Sequence, residues 1–200
     1  MCPAELKKEI LRFFPNTMIL DAFGQTEMTP VTAIRVDMEE DKIQSRSVGQ
    51  SIVEVRVVDD QGKDLPQGEV GEILYRSDTV MKGYYKDDEK TREVMKDGLF
   101  PCGDLGYLDE NGEIRVADRK KECINTGGEK VFPLEVEEVI AKHPKVDDVC
   151  VIGVPDEEWG TSVRAVIQLK KDNQAETKEL LDFCRAELAG YKIPRSVLFV

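Results

Sequence analysis

The 200-residue sequence has almost no histidine and contains no long hydrophobic run. Its single histidine, His143, precedes Pro144, a position where a helix is expected to stop, so catalysis by histidine has one poorly placed candidate. The longest purely apolar runs are a handful of residues, far short of the ~20 that a membrane helix needs, and the first residues do not form a secretory signal. We therefore expect a cytoplasmic protein without a transmembrane segment.

The cysteines and the basic residues exclude further classes of protein. The five cysteines are scattered singly with no Cys-x-x-Cys pair, which predicts neither a zinc site nor a disulfide framework. The formal net charge is −12, because 28 lysines and arginines stand against 40 aspartates and glutamates. The long-range field therefore repels nucleic acid and anionic lipid, and a polyanionic ligand must be bound by local groups. With 40% apolar and 34% charged residues, the chain nevertheless has the composition of a globular protein.

The first part of the chain is predicted to be mostly sheet. A helix begins at Pro3, since apolar residues recur at helical spacing until Pro15 stops it. Asn111-Gly112 is typical of a hairpin turn. A short charged helix is expected at 87–97, and strands are predicted at 17–23, 52–58, 71–76 and on both sides of the hairpin at 107–117.

The pattern changes at residues 118–121, a charged stretch that is predicted to be an exposed linker and is followed by a flexible loop at 125–128. We place a domain boundary there. The second part is predicted to be a small α+β unit with one sheet. Its helices are expected from Pro133 and at 176–189, and its strands at 148–153, 162–169 and 196–200. Because the last strand reaches the last residue, we expect this unit to continue beyond it.

Residues 23–27 (FGQTE) have the chemistry of a nucleotide-binding loop. An aromatic ring can stack on a base, a glycine lets backbone approach a phosphate, a threonine hydroxyl can donate to it, and a carboxylate can hold Mg²⁺. On these five residues alone, however, an ordinary polar turn with a solvated glutamate is the preferred interpretation.

Three further segments follow in order, namely 71–84, 100–104 (FPCGD) and 118–137. With residues 23–27, these segments resemble the late signature segments of the adenylate-forming superfamily, which contains acyl-CoA synthetases, luciferases and peptide-synthetase adenylation domains. The resemblance covers nearly the whole chain, and FGQTE is most similar to the fatty-acid and other carboxylic-acid CoA ligases. It implies an α+β protein in which residues 1–119 are the sheet-rich, β-barrel-like end of a large AMP-binding domain. Residues 120–200 would then be a small mobile domain.

The resemblance also implies roles for the loop at 23–27. Phe23 would stack on adenine, Thr26 would face the α-phosphate, and Glu27 would position Mg²⁺. Gly24 and Gln25 would belong to the same nucleotide-binding loop.

Later residues complete the implied site. Asp104 would bind both ribose hydroxyls, Arg119 would make a second ribose contact, and Lys121 would be the hinge between the two domains. A loop that admits the pantetheine arm of CoA would comprise Gly127, Gly128 and Glu129. The acidic cluster Glu135, Glu137 and Glu138 is interpreted instead as the solvated face of a helix.

The implied activity is that of an ATP-dependent, AMP-forming ligase that joins a medium to long fatty acid to CoA, with Mg²⁺ as cofactor. The sequence departs from this pattern at Cys102, where the family commonly has threonine, so we expect one hydroxyl contact to be lost. The chain also contains no Ser/Thr/Gly-rich phosphate loop with a following lysine, and the family's catalytic lysine would lie after Val200. The 200 residues by themselves are therefore expected to be inactive.

Three alternatives stay open. Another enzyme of the superfamily could acylate a carrier protein or act as a luciferase does. A non-catalytic module could bind nucleotide or CoA, and a structural domain could bind neither. The sequence assigns no oligomeric state, pathway or acyl chain length.

Overall fold

The computed structural model describes residues 4–17, 19–35, 47–95 and 98–200. It divides into two compact units, Met1–Ala117 and Asp118–Val200. The predicted α+β class is confirmed, since both units combine helices with antiparallel strands. The boundary between the units lies two residues before the one expected from the sequence.

The first unit contains a hairpin and a five-stranded sheet. Helix α1 (Ala4–Phe13) is followed by the antiparallel pair β1 (Leu20–Gln25) and β2 (Met28–Arg35). The larger sheet has the order β3-β7-β6-β5-β4. Its members are β3 (Ser47–Gln50), β4 (Glu54–Val58), β5 (Gly71–Arg76), β6 (Phe100–Leu108) and β7 (Glu113–Arg119), with α2 (Asp88–Val94) between β5 and β6.

The barrel-like closure expected from the resemblance is not present in the described residues. Strands β3 and β4 form the two edges of the sheet, and each has one neighbouring strand. A barrel needs two neighbours for every strand, so this sheet is open.

Local sequence signals explain the strands of this sheet. Along β5, Ile73 and Tyr75 are completely buried while Glu72 and Leu74 are half-buried, which is the period of two expected for a strand. The predicted turn between β6 and β7 is stabilised by Asp109, whose Oδ1 accepts the N–H groups of Asn111 and Glu113 at 3.0 and 2.9 Å.

The second unit has a three-stranded sheet, a separate hairpin and two α-helices. Strand β11 pairs antiparallel with β10 and parallel with β12. The elements are β8 (Ile124–Thr126), β9 (Glu129–Val131), α3 (Pro133–Ala141), β10 (Val146–Asp156), β11 (Gly160–Leu169), α4 (Thr177–Glu187), a 3₁₀ helix (Gly190–Lys192) and β12 (Ser196–Phe199). The prediction of a single sheet is wrong, because the β8–β9 hairpin forms a second one. Its strands of three residues are too short to show an alternating pattern.

A single hydrophobic core holds the second unit together, and residues of all three sheet strands and both helices contribute to it. His143 is 5% exposed; its ring packs edge-on against Phe183, and its Nε2 lies 3.5 Å from Glu179. This histidine therefore has a packing role. None of the described helices combines the length and apolar character needed to cross a membrane.

Candidate functional site

The loop predicted from FGQTE is a tight turn between β1 and β2. Gln25 pairs with Met28, so Thr26 and Glu27 form the turn itself. The register shifts between Phe23 and Gln25, which places a bulge at Gly24. Thr26 is exposed and Glu27 is half-buried.

Two contacts from the segment before α2 hold Glu27. The Tyr84 hydroxyl donates to Oε1 of Glu27 at 2.9 Å, and the Met81 amide donates to the Glu27 carbonyl oxygen at 2.7 Å. Burial, reinforced by the Glu27 carboxylate, raises the pKa of Tyr84, which therefore stays a donor. The sequence singled out Gly83-Tyr84 as part of a motif but assigned this tyrosine no role.

Phe23 and Asp104 belong to strands that share one core. The Phe23 ring meets the buried Tyr75 ring edge-on, with centroids 6.2 Å apart. Tyr75 and Cys102 are buried in the same cluster, and the Cys102 sulfur accepts the Asp104 amide at 3.2 Å. Asp104 itself is 5% exposed. The structure thus connects the aromatic residue of the turn to the predicted ribose-binding strand.

Gln25 carries an unsatisfied donor. Its Nε2 is buried and has no hydrogen-bond partner among the residues that the structure describes. A buried donor without a partner costs about 1–3 kcal/mol, so this position favours a ligand or water that can accept a hydrogen bond.

The other predicted residues lie in the second unit. Arg119 ends β7, and Lys121 is exposed in the turn that follows. The expectation of an exposed linker from residue 118 is wrong at its start, because Asp118 is 5% exposed. Its two oxygens accept the amides of Arg119 and Leu134 at 2.7 and 2.9 Å, which ties this turn to the start of α3.

Gly127 and Gly128 form the tip of the β8–β9 hairpin. Their φ angles of 59° and 90° are those of a two-residue turn that requires positive φ at both positions. A Cβ on Gly127 would lie 2.4 Å from the Trp159 ring, whereas a Cβ on Gly128 would meet no atom within 4 Å. The geometry of the hairpin is therefore sufficient to explain why both positions are glycine. Glu129 is exposed at the start of β9.

Trp159 supports this hairpin tip. Its carbonyl oxygen accepts the Gly127 amide at 3.1 Å, and the Arg195 guanidinium carbon lies 4.2 Å from the centre of its ring. Beside the tip, Thr126 is 4% exposed, and its hydroxyl has no hydrogen-bond partner among the described residues. Trp159 is the only tryptophan of the chain, and no sequence motif pointed to it.

Two family models match the chain. Residues 1–85 match the AMP-binding enzyme family, and residues 135–200 match the AMP-binding enzyme C-terminal domain. The chain belongs to the AMP-binding enzymes. The resemblance inferred from the sequence motifs is confirmed.

Among its relatives are CoA ligases with different acids in their names. The chain is 36% identical over 203 residues to the mitochondrial medium-chain acyl-CoA ligase ACSF2 of Danio rerio, covering 100% of this chain and 34% of that protein. It is 40% identical over 199 residues to a feruloyl-CoA synthase of Amycolatopsis sp, covering 98% and 40%. The o-succinylbenzoate CoA synthetase MenE of Bacillus subtilis, solved with its acyl-adenylate intermediate, superposes with a TM-score of 0.86 at 30% identity, over 100% of this chain and 40% of that one. The chain thus spans about a third to two fifths of the length of these relatives.

Several predicted site residues of this AMP-binding enzyme lie between the two matched ranges, including Asp104, Arg119 and Lys121. The roles of all the predicted site residues remain proposals. The structure groups Phe23, Gly24, Gln25, Thr26, Glu27 and Asp104 in the first unit, and Arg119, Lys121, Gly127, Gly128 and Glu129 in the second.

The acidic cluster on α3 is not a solvated face. Both carboxylate oxygens of Glu135 accept hydrogen bonds from Lys192, whose Nζ lies 2.6 and 2.8 Å from them. Glu137 accepts the Val151 amide at 2.7 Å. Only Glu138 of the three is exposed. The interpretation from the sequence is therefore wrong for Glu135 and Glu137.

Proposed function

We propose that this chain is the nucleotide-binding and small-domain part of an ATP-dependent, AMP-forming acid–CoA ligase. The observation that carries the proposal is the first unit's cluster, in which Phe23, Tyr75 and Cys102 link the turn bearing Glu27 to the strand bearing Asp104. A rigid core beneath two carboxylates and an aromatic ring suits recognition of a nucleotide.

Within this proposal each residue of the cluster has a task. Phe23 stacks on adenine, the Thr26 hydroxyl donates to the α-phosphate, and Asp104 accepts the ribose hydroxyls. Gly24 allows close approach of the backbone, and the unpaired amide nitrogen of Gln25 donates to the ligand. Arg119 supplies the second ribose contact.

A magnesium ion fits the donor chemistry at Glu27. Among the described residues no group of three or more His, Cys, Asp or Glu side chains could hold a metal ion. Mg²⁺ is commonly bound by one or two carboxylates together with substrate phosphates, and Glu27 supplies one carboxylate. Bound there, the ion would neutralise phosphate charge.

The proposed reaction has two steps. The acid's carboxylate attacks the α-phosphate of ATP, forming an acyl-adenylate as pyrophosphate leaves. The CoA thiol then attacks the acyl carbon, losing its proton, and AMP leaves. Between the steps the small domain turns about Lys121 and brings the loop Gly127, Gly128 and Glu129 toward the pantetheine arm.

We retain a medium to long fatty acid as the proposed substrate, while the relatives' names include aromatic acids as well.

The decisive experiment replaces Asp104 with Asn in the complete protein. We expect the free energy of ATP binding, measured by calorimetry, to become less favourable by about 1.5–3 kcal/mol for each charged hydrogen bond that is weakened. Glu110→Gln, in the exposed turn after β6, is the matched control. Unchanged affinity in a folded Asp104→Asn variant would show that Asp104 does not bind the ribose. Acid-dependent pyrophosphate exchange without thioester formation would identify a different adenylate-forming enzyme.

A further inference from the structure

The Glu27 carboxylate is held by a residue far away in the sequence. Tyr84 donates to one of its oxygens, Oε1, across 57 positions of the chain, and both side chains are partly buried. This hydrogen bond leaves Oε2 outside the contact. The neighbouring Met81 amide fixes the backbone of the same turn, so Glu27 is restrained at both its carbonyl and its side chain.

Tyr84 is itself anchored to α2. Its amide donates to Oγ1 of Thr91 at 2.9 Å, and that hydroxyl donates to the Asp87 carbonyl at 2.8 Å. Gly83 packs closely against Thr91, since a Cβ on Gly83 would lie 3.0 Å from Thr91 side-chain atoms. The phenol therefore projects from a supported segment and not from a loose loop.

We propose that Tyr84 is the positioning residue of Glu27. By occupying Oε1, the phenol orients the carboxylate and leaves Oε2 as the oxygen that meets the metal–nucleotide complex. A carboxylate that is already ordered loses less conformational freedom when it binds. The inference rests on the proposed function only in assigning a metal to Glu27.

Tyr84→Phe in the complete protein removes the hydroxyl and keeps the ring. We expect Mn²⁺ to bind about tenfold more weakly in the presence of ATP and absence of acid, as measured by electron paramagnetic resonance, because the lost hydrogen bond is to a charged group. Tyr85→Phe is the matched control, since Tyr85 loses the same hydroxyl but is 88% exposed. If Glu27→Gln weakens Mn²⁺ binding, equal metal affinity in Tyr84→Phe and Tyr85→Phe would overturn the proposal.

A double-mutant cycle with Glu27→Gln separates positioning from general destabilisation. If Tyr84 acts through Glu27, Tyr84→Phe should weaken Mn²⁺ binding little further once Glu27 is Gln. Additive losses of Mn²⁺ affinity, in variants that urea unfolding shows to be folded, would overturn the inference. If Glu27→Gln alone leaves metal binding unchanged, it is the metal role in the proposed function that fails. In that case, non-additive effects of the two substitutions on unfolding would still support the Tyr84–Glu27 contact, and additive ones would overturn it.

Discussion

The buried Cys102 lies two residues before Asp104, at a position where the resemblance led us to expect a lost hydroxyl contact. The structure shows that the sulfur still accepts a hydrogen bond, from the Asp104 amide. Burial raises the pKa of Cys102 to about 12, so the side chain remains a neutral thiol at physiological pH. Its contribution is to satisfy a buried amide and fill the core.

Two nearly isosteric substitutions test this contribution. Cys102→Thr adds the same branch as Cys102→Val but keeps an acceptor for the Asp104 amide, so it should be the more stable of the two variants. Cys102→Val leaves the Asp104 amide buried without its partner and should cost about 1–3 kcal/mol in urea unfolding. Equal stability of the two variants would contradict the hydrogen bond.

The two glycines of the β8–β9 tip should differ in their tolerance of a side chain. Gly128→Ala introduces only backbone strain, because its Cβ meets open space, and we expect a loss of about 1 kcal/mol. Gly127→Ala adds a collision with Trp159 and should cost about 1–3 kcal/mol more. Urea unfolding followed by the fluorescence of this single tryptophan measures both, and equal losses would contradict the packing at Gly127.

At the scale of elements, acidic side chains tie helix α3 to its surroundings. Two of them belong to the helix, and the third, Asp118, lies before it in the chain. Asp118 accepts an amide in its first turn, Glu135 binds Lys192, and Glu137 accepts the Val151 amide on β10. Phe132, at the N-cap position, has no side-chain hydrogen bond to the helix. Asp118 therefore supplies from 16 residues upstream the acceptor that an N-cap usually provides.

Glu137 should make stability depend on pH. Burial, with the neighbouring carboxylates of Asp118, Glu122 and Asp148, raises the pKa of Glu137. Between the unfolded and the raised folded pKa, the folded state binds more protons, so this residue's contribution to stability falls as pH rises through that window.

Glu137→Gln keeps an acceptor for the Val151 amide and removes the charge. We expect the variant to gain stability relative to the wild-type protein as pH rises above the ordinary glutamate value, and to show no such gain in more acidic solution. The check is the difference between the two urea-unfolding curves across that range. A difference that does not change with pH, or that changes in the opposite direction, would rule out the raised pKa.

At the scale of the whole molecule, the hinge at Lys121 remains a prediction. The turn that contains it is closed by the Glu122 amide, which donates to the Arg119 carbonyl at 3.0 Å. Lys121→Pro in the complete protein fixes φ at this position, so it should preserve one half-reaction and depress the other. Pyrophosphate exchange and thioester formation from preformed acyl-adenylate measure the two steps separately.

The control is Lys121→Ala, which removes the charge but leaves φ free and should leave both half-reactions close to wild type. Proline at the third position of such a turn also disfavours a helical conformation at the residue before it, so the melting temperature must be compared as well. Equal losses in both steps in a folded Lys121→Pro variant would mean that this lysine is an ordinary turn residue. The inactivity of the 200 residues by themselves likewise stays a prediction.

The sequence by itself determined the α+β class, the β6–β7 hairpin, the start of α3 at Pro133 and the order of the family motifs. These features are encoded within a few neighbouring residues, such as the Asn111-Gly112 turn and the period of two along β5.

The tertiary structure alone decided which of these residues act together. Tyr84 and Glu27 are 57 positions apart, and Gly127 meets Trp159 from a different strand pair. Glu137 belongs to a helix whose spacing predicts a solvated face, yet it reaches an amide of β10. No local pattern specifies such contacts, because they exist only once distant elements have packed around a common core.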